Sequence, residues 1–152
     1  MPVLLLSINP HQDDFYLNLV DWSSQNVLAV GLSSSVFLWN ASTSLVTKLC
    51  HVGFTDSVTS VSWMERGSHL ALGTNRGGLQ IWDAVVGKKI RELPGHHGRI
   101  GTLAWNGHIL SSGSRDRSIR FWDVRASGGA TKKLIGHKQE VSLYSLKRKA
   151  KL

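Results

Sequence analysis

The sequence predicts an all-β fold built from three repeated units, and the spacing of its tryptophans and glycines carries this prediction. All six tryptophans fall into two series in which successive members are 40 to 43 residues apart. The first series is Trp22, Trp63 and Trp105, and the second is Trp39, Trp82 and Trp122. Gly31, Gly73 and Gly113 keep the same step. A repeat of about 40 residues punctuated in this way is typical of a propeller blade of four antiparallel strands.

Each unit divides into four short strands separated by turn-forming residues such as those of Asn75–Gly78. The innermost strands alternate apolar and polar residues and end in tryptophan: Tyr16–Trp22, Val58–Trp63 and Ile100–Trp105. The second strands are Val27–Gly31, Leu70–Gly73 and Ile109–Ser112. The third strands are Val36–Trp39, Leu79–Trp82 and Ile119–Trp122, and the outer strands are Val46–Leu49, Lys89–Leu93 and Lys132–Ile135. No segment has a helical period. We therefore expect about three four-stranded antiparallel blades in an open arc, roughly residues 14–53, 54–95 and 96–137.

The third unit carries four polar residues at the spacing of the WD-repeat hydrogen-bond tetrad, a structural network. Trp122 ends the third strand, Ser112 lies on the second strand, His96 precedes the first strand, and Asp116 lies in the tight turn. In such a network tryptophan donates to serine, serine bonds to histidine, and aspartate holds the histidine. Four buried polar groups then satisfy one another. The first two units lack the serine and the aspartate, so we expect one braced blade.

Composition and charge argue against several function classes. The formal net charge is +8, and the last eleven residues supply four of these charges, so the remainder is only mildly basic and we expect no nucleic-acid partner. Cys50 is the single cysteine, which indicates a reducing compartment and provides no zinc-ribbon spacing. The sequence contains neither a phosphate loop nor a Gly-x-Ser-x-Gly elbow. We expect no catalytic residues, no metal, no cofactor and no membrane span.

Several stretches of the sequence resemble one family of WD-repeat proteins. Residues Gln12–Ser24 closely resemble the first strand of the Fizzy and Fizzy-related proteins, the WD-repeat co-activators of the anaphase-promoting complex, a ubiquitin ligase. Further similar stretches are Asn26–Leu32, Val36–Trp39, Asp56–Val61, Leu110–Arg117 and Gly136–Val141. The resemblance implies a protein that binds degrons, short linear motifs of cell-cycle substrates, and presents them to ligase subunits in the nucleus and cytoplasm.

The resemblance also implies two site residues. The acid matching Asp14 meets the arginine of the destruction box, and the acid matching Asp21 contacts the Lys-Glu-Asn box over the central top face. A carboxylate facing a basic side chain forms a charge-assisted hydrogen bond and steers encounter, which suits both roles. The resemblance also implies that another linear motif binds between the second and third blades.

Departures from the family lead to further expectations. The N-terminal docking motif and the C-terminal Ile-Arg of the family are not found in this sequence, and the residues after Val141 do not match. We expect a fragment with a lead-in at 1–13, a propeller segment at 14–141 and a basic tail at 142–152, which does not activate the ligase by itself. Three sheets leave two open outer faces, and we expect the apolar residues of both faces to be exposed, which predicts marginal stability. The alternatives are a generic WD-repeat scaffold and a nucleic-acid binder that uses the basic tail.

Overall fold

The computed structural model describes residues 17–126, the strand Lys132–Ile135 and Glu140, and these residues form an all-β structure. Twelve strands make three four-stranded sheets, each antiparallel with its strands in chain order. The first sheet contains β1 (Val20–Trp22), β2 (Val27–Leu32), β3 (Ser35–Asn40) and β4 (Leu45–His51). The second contains β5 (Val58–Trp63), β6 (His69–Thr74), β7 (Leu79–Asp83) and β8 (Lys88–Leu93). The third contains β9 (Ile100–Asn106), β10 (Ile109–Ser114), β11 (Ser118–Asp123) and β12 (Lys132–Ile135).

The three sheets coincide with the three predicted blades and confirm the fold class. Eleven of the twelve strands lie within two residues of their predicted bounds. The exception is the first strand, which begins at Val20 and not at Tyr16; Tyr16 itself lies outside the described residues. At Asn18 the chain pairs with the second sheet instead: Asn18 forms a parallel bridge with Ser60, and its side-chain amide donates to the carbonyl of Gly101 at 2.7 Å.

Because consecutive strands are antiparallel, the loops between them lie alternately at two opposite ends of the sheets. The upper end carries the loops that join one sheet to the next, at 52–57 and 94–99, and the turns at 33–34, 75–78 and 115–117. The lower end carries the remaining turns, at 23–26, 41–44, 64–68, 84–87 and 107–108. Residues near the end of a first strand, such as Trp22 and Trp63, therefore lie toward the lower end.

The core consists of two layers between neighbouring sheets, with the second sheet in the middle of the arc. Between the first and second sheets lie buried residues of both: Ala29, Val36, Leu38, Cys50, Val58, Val61, Trp63, Leu70 and Leu72. Between the second and third sheets lie Ala71, Leu79, Ile81, Leu93, Ile100, Leu103, Leu110 and Trp122. Gly73 permits the close approach of these sheets, because a Cβ at this position would lie 2.6 Å from the Cβ of Ile100.

The two outer faces of the arc differ from the expectation that both expose apolar surface. On the first sheet Val20 and Trp22 are half-exposed, and the Trp22 ring meets Trp39 edge-on with centroids 5.6 Å apart. On the third sheet Ala104 and Ile119 are buried instead, at 9% and 0% exposure, and Phe121 packs against them. An exposed apolar face is therefore found in part on the first sheet. For these residues of the third sheet the expectation is wrong.

Candidate functional site

The first strands of neighbouring sheets are joined by a hydrogen bond that repeats with the blade. The indole Nε1 of Trp63 donates to the carbonyl of Asp21 at 3.0 Å, and the indole of Trp105 donates to the carbonyl of Ser62 at 3.0 Å. In each case the acceptor is the residue before the tryptophan of the preceding unit. Trp63 and Trp105 of the first tryptophan series therefore each tie one blade to the preceding one.

Asp21 takes part in this joint through its side chain as well. Its carboxylate Oδ2 accepts the backbone N–H of Trp63 at 2.8 Å, and the residue is partly buried. This position lies toward the lower end of the first and second sheets, one residue before the turn that follows Trp22. The carboxylate thus has a structural role that the sequence did not indicate, and its contact with a Lys-Glu-Asn box stays a prediction. Asp14 lies outside the described residues.

The four residues expected to form the tetrad are joined by hydrogen bonds in the third sheet. The Trp122 indole donates to Ser112 Oγ at 2.9 Å, and Ser112 Oγ lies 2.7 Å from His96 Nε2. His96 Nδ1 lies 3.0 Å from Asp116 Oδ2. Since the indole can only donate, the network is satisfied when Ser112 donates to Nε2 and Nδ1–H donates to the carboxylate. Ser118 extends the network by donating its hydroxyl to Asp116 Oδ1.

This network fixes the protonation states of its two titratable members. Burial is the main cause that lowers the pKa of His96, from 6.5 to about 4, against the opposing attraction of Asp116. Burial opposes ionisation of Asp116, but hydrogen bonds from Ser118 and the backbone of His97, together with the His96 ring, lower the pKa of that carboxyl to about 2. At neutral pH the pair is therefore a neutral imidazole beside a carboxylate.

Stability is expected to fall when the pH is lowered from 6.5 towards 4. In this window the histidine of the unfolded chain is protonated and His96 of the folded chain is not, so protons favour unfolding. Asp116 adds to the loss only below its unfolded pKa of 3.8. Urea denaturation at several pH values measures the effect. His97→Gln, at an exposed neighbour, should keep the same pH dependence; an unchanged urea midpoint across the window in the parent chain would contradict the buried neutral histidine.

The second sheet replaces the tetrad with other contacts. Phe54 precedes Trp63 by nine residues, as His96 precedes Trp105, but its side chain is 99% exposed. The serine position holds Leu72, which is buried in the core. Without a serine partner, the indole of Trp82 donates to Gln80 Oε1 at 2.9 Å on its own strand. The residue at the histidine position of this blade therefore makes no tetrad contact. As a result, the aromatic side chain of Phe54 is exposed at the upper end.

An ion pair that the sequence analysis missed ties the third blade to the start of the following repeat. Arg99 Nε and Nη2 donate to the two carboxylate oxygens of Glu140 at 2.6 and 2.7 Å, and the two side chains are 18% and 7% exposed. The two residues are one repeat apart, and each immediately precedes the first apolar residue of its unit, Ile100 or Val141. This equivalence of position is the sequence feature from which the ion pair could have been predicted. A bidentate pair of this kind is both strong and directional.

A groove of about 380 Å³ opens at the lower end between the first and second sheets. It is lined by Ser23, Gln25, Val27, Leu38, Asn40, Thr43, Leu45, Thr47, Trp63, Ser68, Ala84 and Val85. All of these side chains are uncharged, so the groove offers apolar contact and neutral hydrogen-bonding groups. Asp21 is not among the described lining residues.

The described residues form neither a metal cluster nor a membrane-spanning helix. Within residues 17–126 and the two later described pieces, no cluster of three or more histidine, cysteine, aspartate or glutamate side chains is placed to hold a metal ion. In the same part of the chain no helix has the length and apolar character needed to cross a membrane. Cys50 is a buried free thiol, and burial raises its pKa to about 11, which disfavours a reactive thiolate.

Comparisons with known proteins agree with this architecture. The family described as "WD domain, G-beta repeat" matches residues 87–123. The chain is 58% identical to Protein FIZZY-RELATED 3 of Arabidopsis thaliana over 86% of its own length and 27% of that relative. It is 53% identical to the anaphase-promoting complex subunit cdh1 of Dictyostelium discoideum over 92% of its own length and 19% of that protein. The chain therefore spans less than a third of these curated relatives.

A solved structure gives the same result at the level of the fold. A chain in the crystal structure of a mitotic checkpoint complex superposes with a TM-score of 0.82 at 43% sequence identity. The superposition covers 85% of this chain and 40% of that one. The three sheets described above therefore have the arrangement of a segment of that larger propeller.

Proposed function

We propose that this chain, a three-blade segment of the Fizzy and Fizzy-related family of WD-repeat proteins, binds degrons of cell-cycle proteins for the anaphase-promoting complex. The observation that carries the proposal is the high sequence identity, 58% over 86% of the chain, to a Fizzy-related protein. The matched region is 130 residues long, so it spans the loops as well as the core strands. The partners are accordingly ligase subunits and degron-bearing substrates, and we extend the proposal to a nuclear and cytoplasmic location.

The chemistry of the described residues suits a binding module. The buried polar residues of the third blade, His96, Ser112 and Trp122, hydrogen-bond to one another and leave no group activated for catalysis there. Rigid strands joined by short loops form a suitable platform for extended peptides. We therefore propose that the chain acts by binding and not as an enzyme. A scaffold of another complex is the alternative, and it predicts no preference for degron sequences.

A peptide titration tests the proposal. Fluorescein-labelled peptides that carry a Lys-Glu-Asn box or a destruction box are titrated with the full chain and followed by anisotropy. Each is paired with a peptide of the same composition in which the motif is scrambled. We expect measurable binding of the motif peptides and at least severalfold weaker binding of the scrambled ones; equal binding within each pair would favour the generic scaffold.

Replacement of Asp21 by asparagine is expected to weaken the Lys-Glu-Asn peptide by about 1–3 kcal/mol, because a charge-assisted contact is lost. Asparagine keeps a side-chain oxygen for the N–H of Trp63, so the joint between the first two blades should persist. Asp14→Asn should weaken the destruction-box peptide by a similar amount. Glu65→Gln removes one charge at an exposed position and serves as the control.

The structural role of Asp21 requires a second readout in that experiment. The urea midpoint of Asp21→Asn should stay close to that of the parent chain while peptide affinity falls. If affinity is unchanged, Asp21 belongs to the framework alone. If affinity and the urea midpoint fall together, the affinity loss follows from a disturbed joint, and the direct contact is again contradicted.

A further inference from the structure

Three exposed arginines lie at the upper end of the second and third blades: Arg76 in the β6–β7 turn, and Arg115 and Arg117 in the β10–β11 turn. None of the three has a carboxylate partner in the part of the chain that the structure describes. Guanidinium groups present planar, bidentate donors that match carboxylate oxygens. We name these three residues the arginine face.

Backbone contacts hold the two turns side by side. The carbonyl of Gly77, next to Arg76, accepts the N–H of His96 at 2.8 Å. The N–H of His97 donates to Asp116 Oδ2 at 3.1 Å, and the N–H of Arg115 donates to the carbonyl of Arg99 at 3.0 Å. Both arginine-bearing turns are thus fastened to the same loop, 94–99, so the three arginines lie on adjacent turns.

The neighbouring acids are engaged inside the structure. Asp56 Oδ1 accepts the backbone N–H groups of Ser57 and Arg76 at 2.9 and 3.0 Å. The side chain of Asp116 is 13% exposed within the tetrad, and that of Glu140 is 7% exposed against Arg99. The carboxylates of Asp116 and Glu140 are therefore mostly buried, and Asp56 is half-buried with one oxygen hydrogen-bonded, whereas the positive charge of the arginine face is at the surface.

The position of Arg76 in the repeat explains why its side chain is exposed. It precedes Trp82 by six residues, as Asp116 precedes Trp122, so it occupies the position of the tetrad aspartate. The second blade has Leu72 in place of the tetrad serine and an exposed Phe54 at the histidine position, so nothing inside the blade requires a polar group there. A position that is structural in the third blade is available for binding in the second.

We propose that the arginine face binds an acidic segment of a partner protein, whose clustered aspartate and glutamate carboxylates pair with the three guanidinium groups. The formal net charge is +8, and without the four charges of the last eleven residues it is only +4; this favours a short acidic segment over a nucleic acid, because nucleic-acid binding draws on many phosphate contacts. The surface is distinct from Asp14 and Asp21, so the proposal does not depend on degron binding.

The test uses the full chain and a fluorescein-labelled peptide of alternating glutamate and serine, with a glutamine–serine peptide as the neutral reference. The variant is Arg76→Glu combined with Arg115→Glu; Arg117 is left in place because its φ of 67° makes its turn sensitive to substitution. Arg66→Glu combined with Lys88→Glu changes the net charge equally at exposed positions of the lower end. Arg76→Gln provides a milder second variant.

We expect the parent chain to prefer the glutamate peptide, and the upper-end double variant to bind it about tenfold or more weakly. The lower-end control should change the affinity by less than about threefold, and Arg76→Gln should give an intermediate loss. Equal losses in the two double variants would reduce the effect to net charge and overturn the proposal. Tighter binding of single-stranded DNA of the same charge, lost in the upper-end variant, would also overturn it by assigning the surface to nucleic acid.

Discussion

Replacement of Arg99 by methionine is expected to lower the free energy of unfolding by about 3–5 kcal/mol, because the carboxylate of Glu140 is left without its counter-charge in a buried site. Methionine retains much of the length and apolar character of the arginine stem, so the loss is assigned to the charge and its two hydrogen bonds. Urea denaturation of the full chain, followed by tryptophan fluorescence, measures the change.

Two companion variants separate charge from packing. The combination of Arg99→Met with Glu140→Met removes both charges, and it should recover most of the stability lost in the single variant. Lys89→Met breaks an ion pair with Glu92 of similar length, 2.9 Å, whose side chains are 40% and 61% exposed. Its cost should be below about 1 kcal/mol. An equally small cost for Arg99→Met would show that the Glu140 contact does not stabilise the arc.

Removal of the Ser112 hydroxyl is expected to cost about 2–4 kcal/mol. Ser112 Oγ accepts from the Trp122 indole and bonds to His96, so Ser112→Ala leaves two buried polar groups without a partner. The substitution itself removes only one oxygen atom, and the cavity contribution is therefore small. The same urea denaturation experiment measures the loss.

The adjacent residue provides a matched control. Ser111 is also buried on β10, but its hydroxyl has no hydrogen-bond partner within the described part of the chain. Ser111→Ala therefore removes an unsatisfied polar group and should leave stability unchanged or slightly raised, within about 1 kcal/mol. If the two alanine variants lose similar stability, the tetrad does not act as the brace of the third blade.

The repeat made the architecture predictable. A period that recurs in both tryptophan series determines strand number and order, because each blade repeats the same pairing, and the four tetrad residues could be named from spacing alone. The start of the first strand was less predictable: Asn18 has an alternating neighbourhood typical of a strand, but it pairs with Ser60 of the next sheet. Local pattern does not reveal which sheet supplies the partner.

The site was less predictable than the fold, since its contacts join different blades. Asp21 has the sequence context of a surface acid, but the following blade supplies Trp63, whose backbone N–H it accepts. The bond between Arg99 and Glu140 likewise depends on how one repeat is placed against the next. Contacts of this kind depend on how neighbouring blades are placed against each other. The repeat period indicates such contacts only when residues at equivalent positions of successive units are compared.

Photo-crosslinking tests the central claim most directly. A Lys-Glu-Asn peptide with a benzophenone group beside the motif is bound to the full chain, irradiated, and the attachment points are mapped by mass spectrometry. We predict that attachment is concentrated near residues 14–22 and is abolished by an excess of unlabelled motif peptide but not by its scrambled version. Attachment confined to the lower groove or the arginine face, or attachment that both competitors reduce equally, would contradict degron binding at this site.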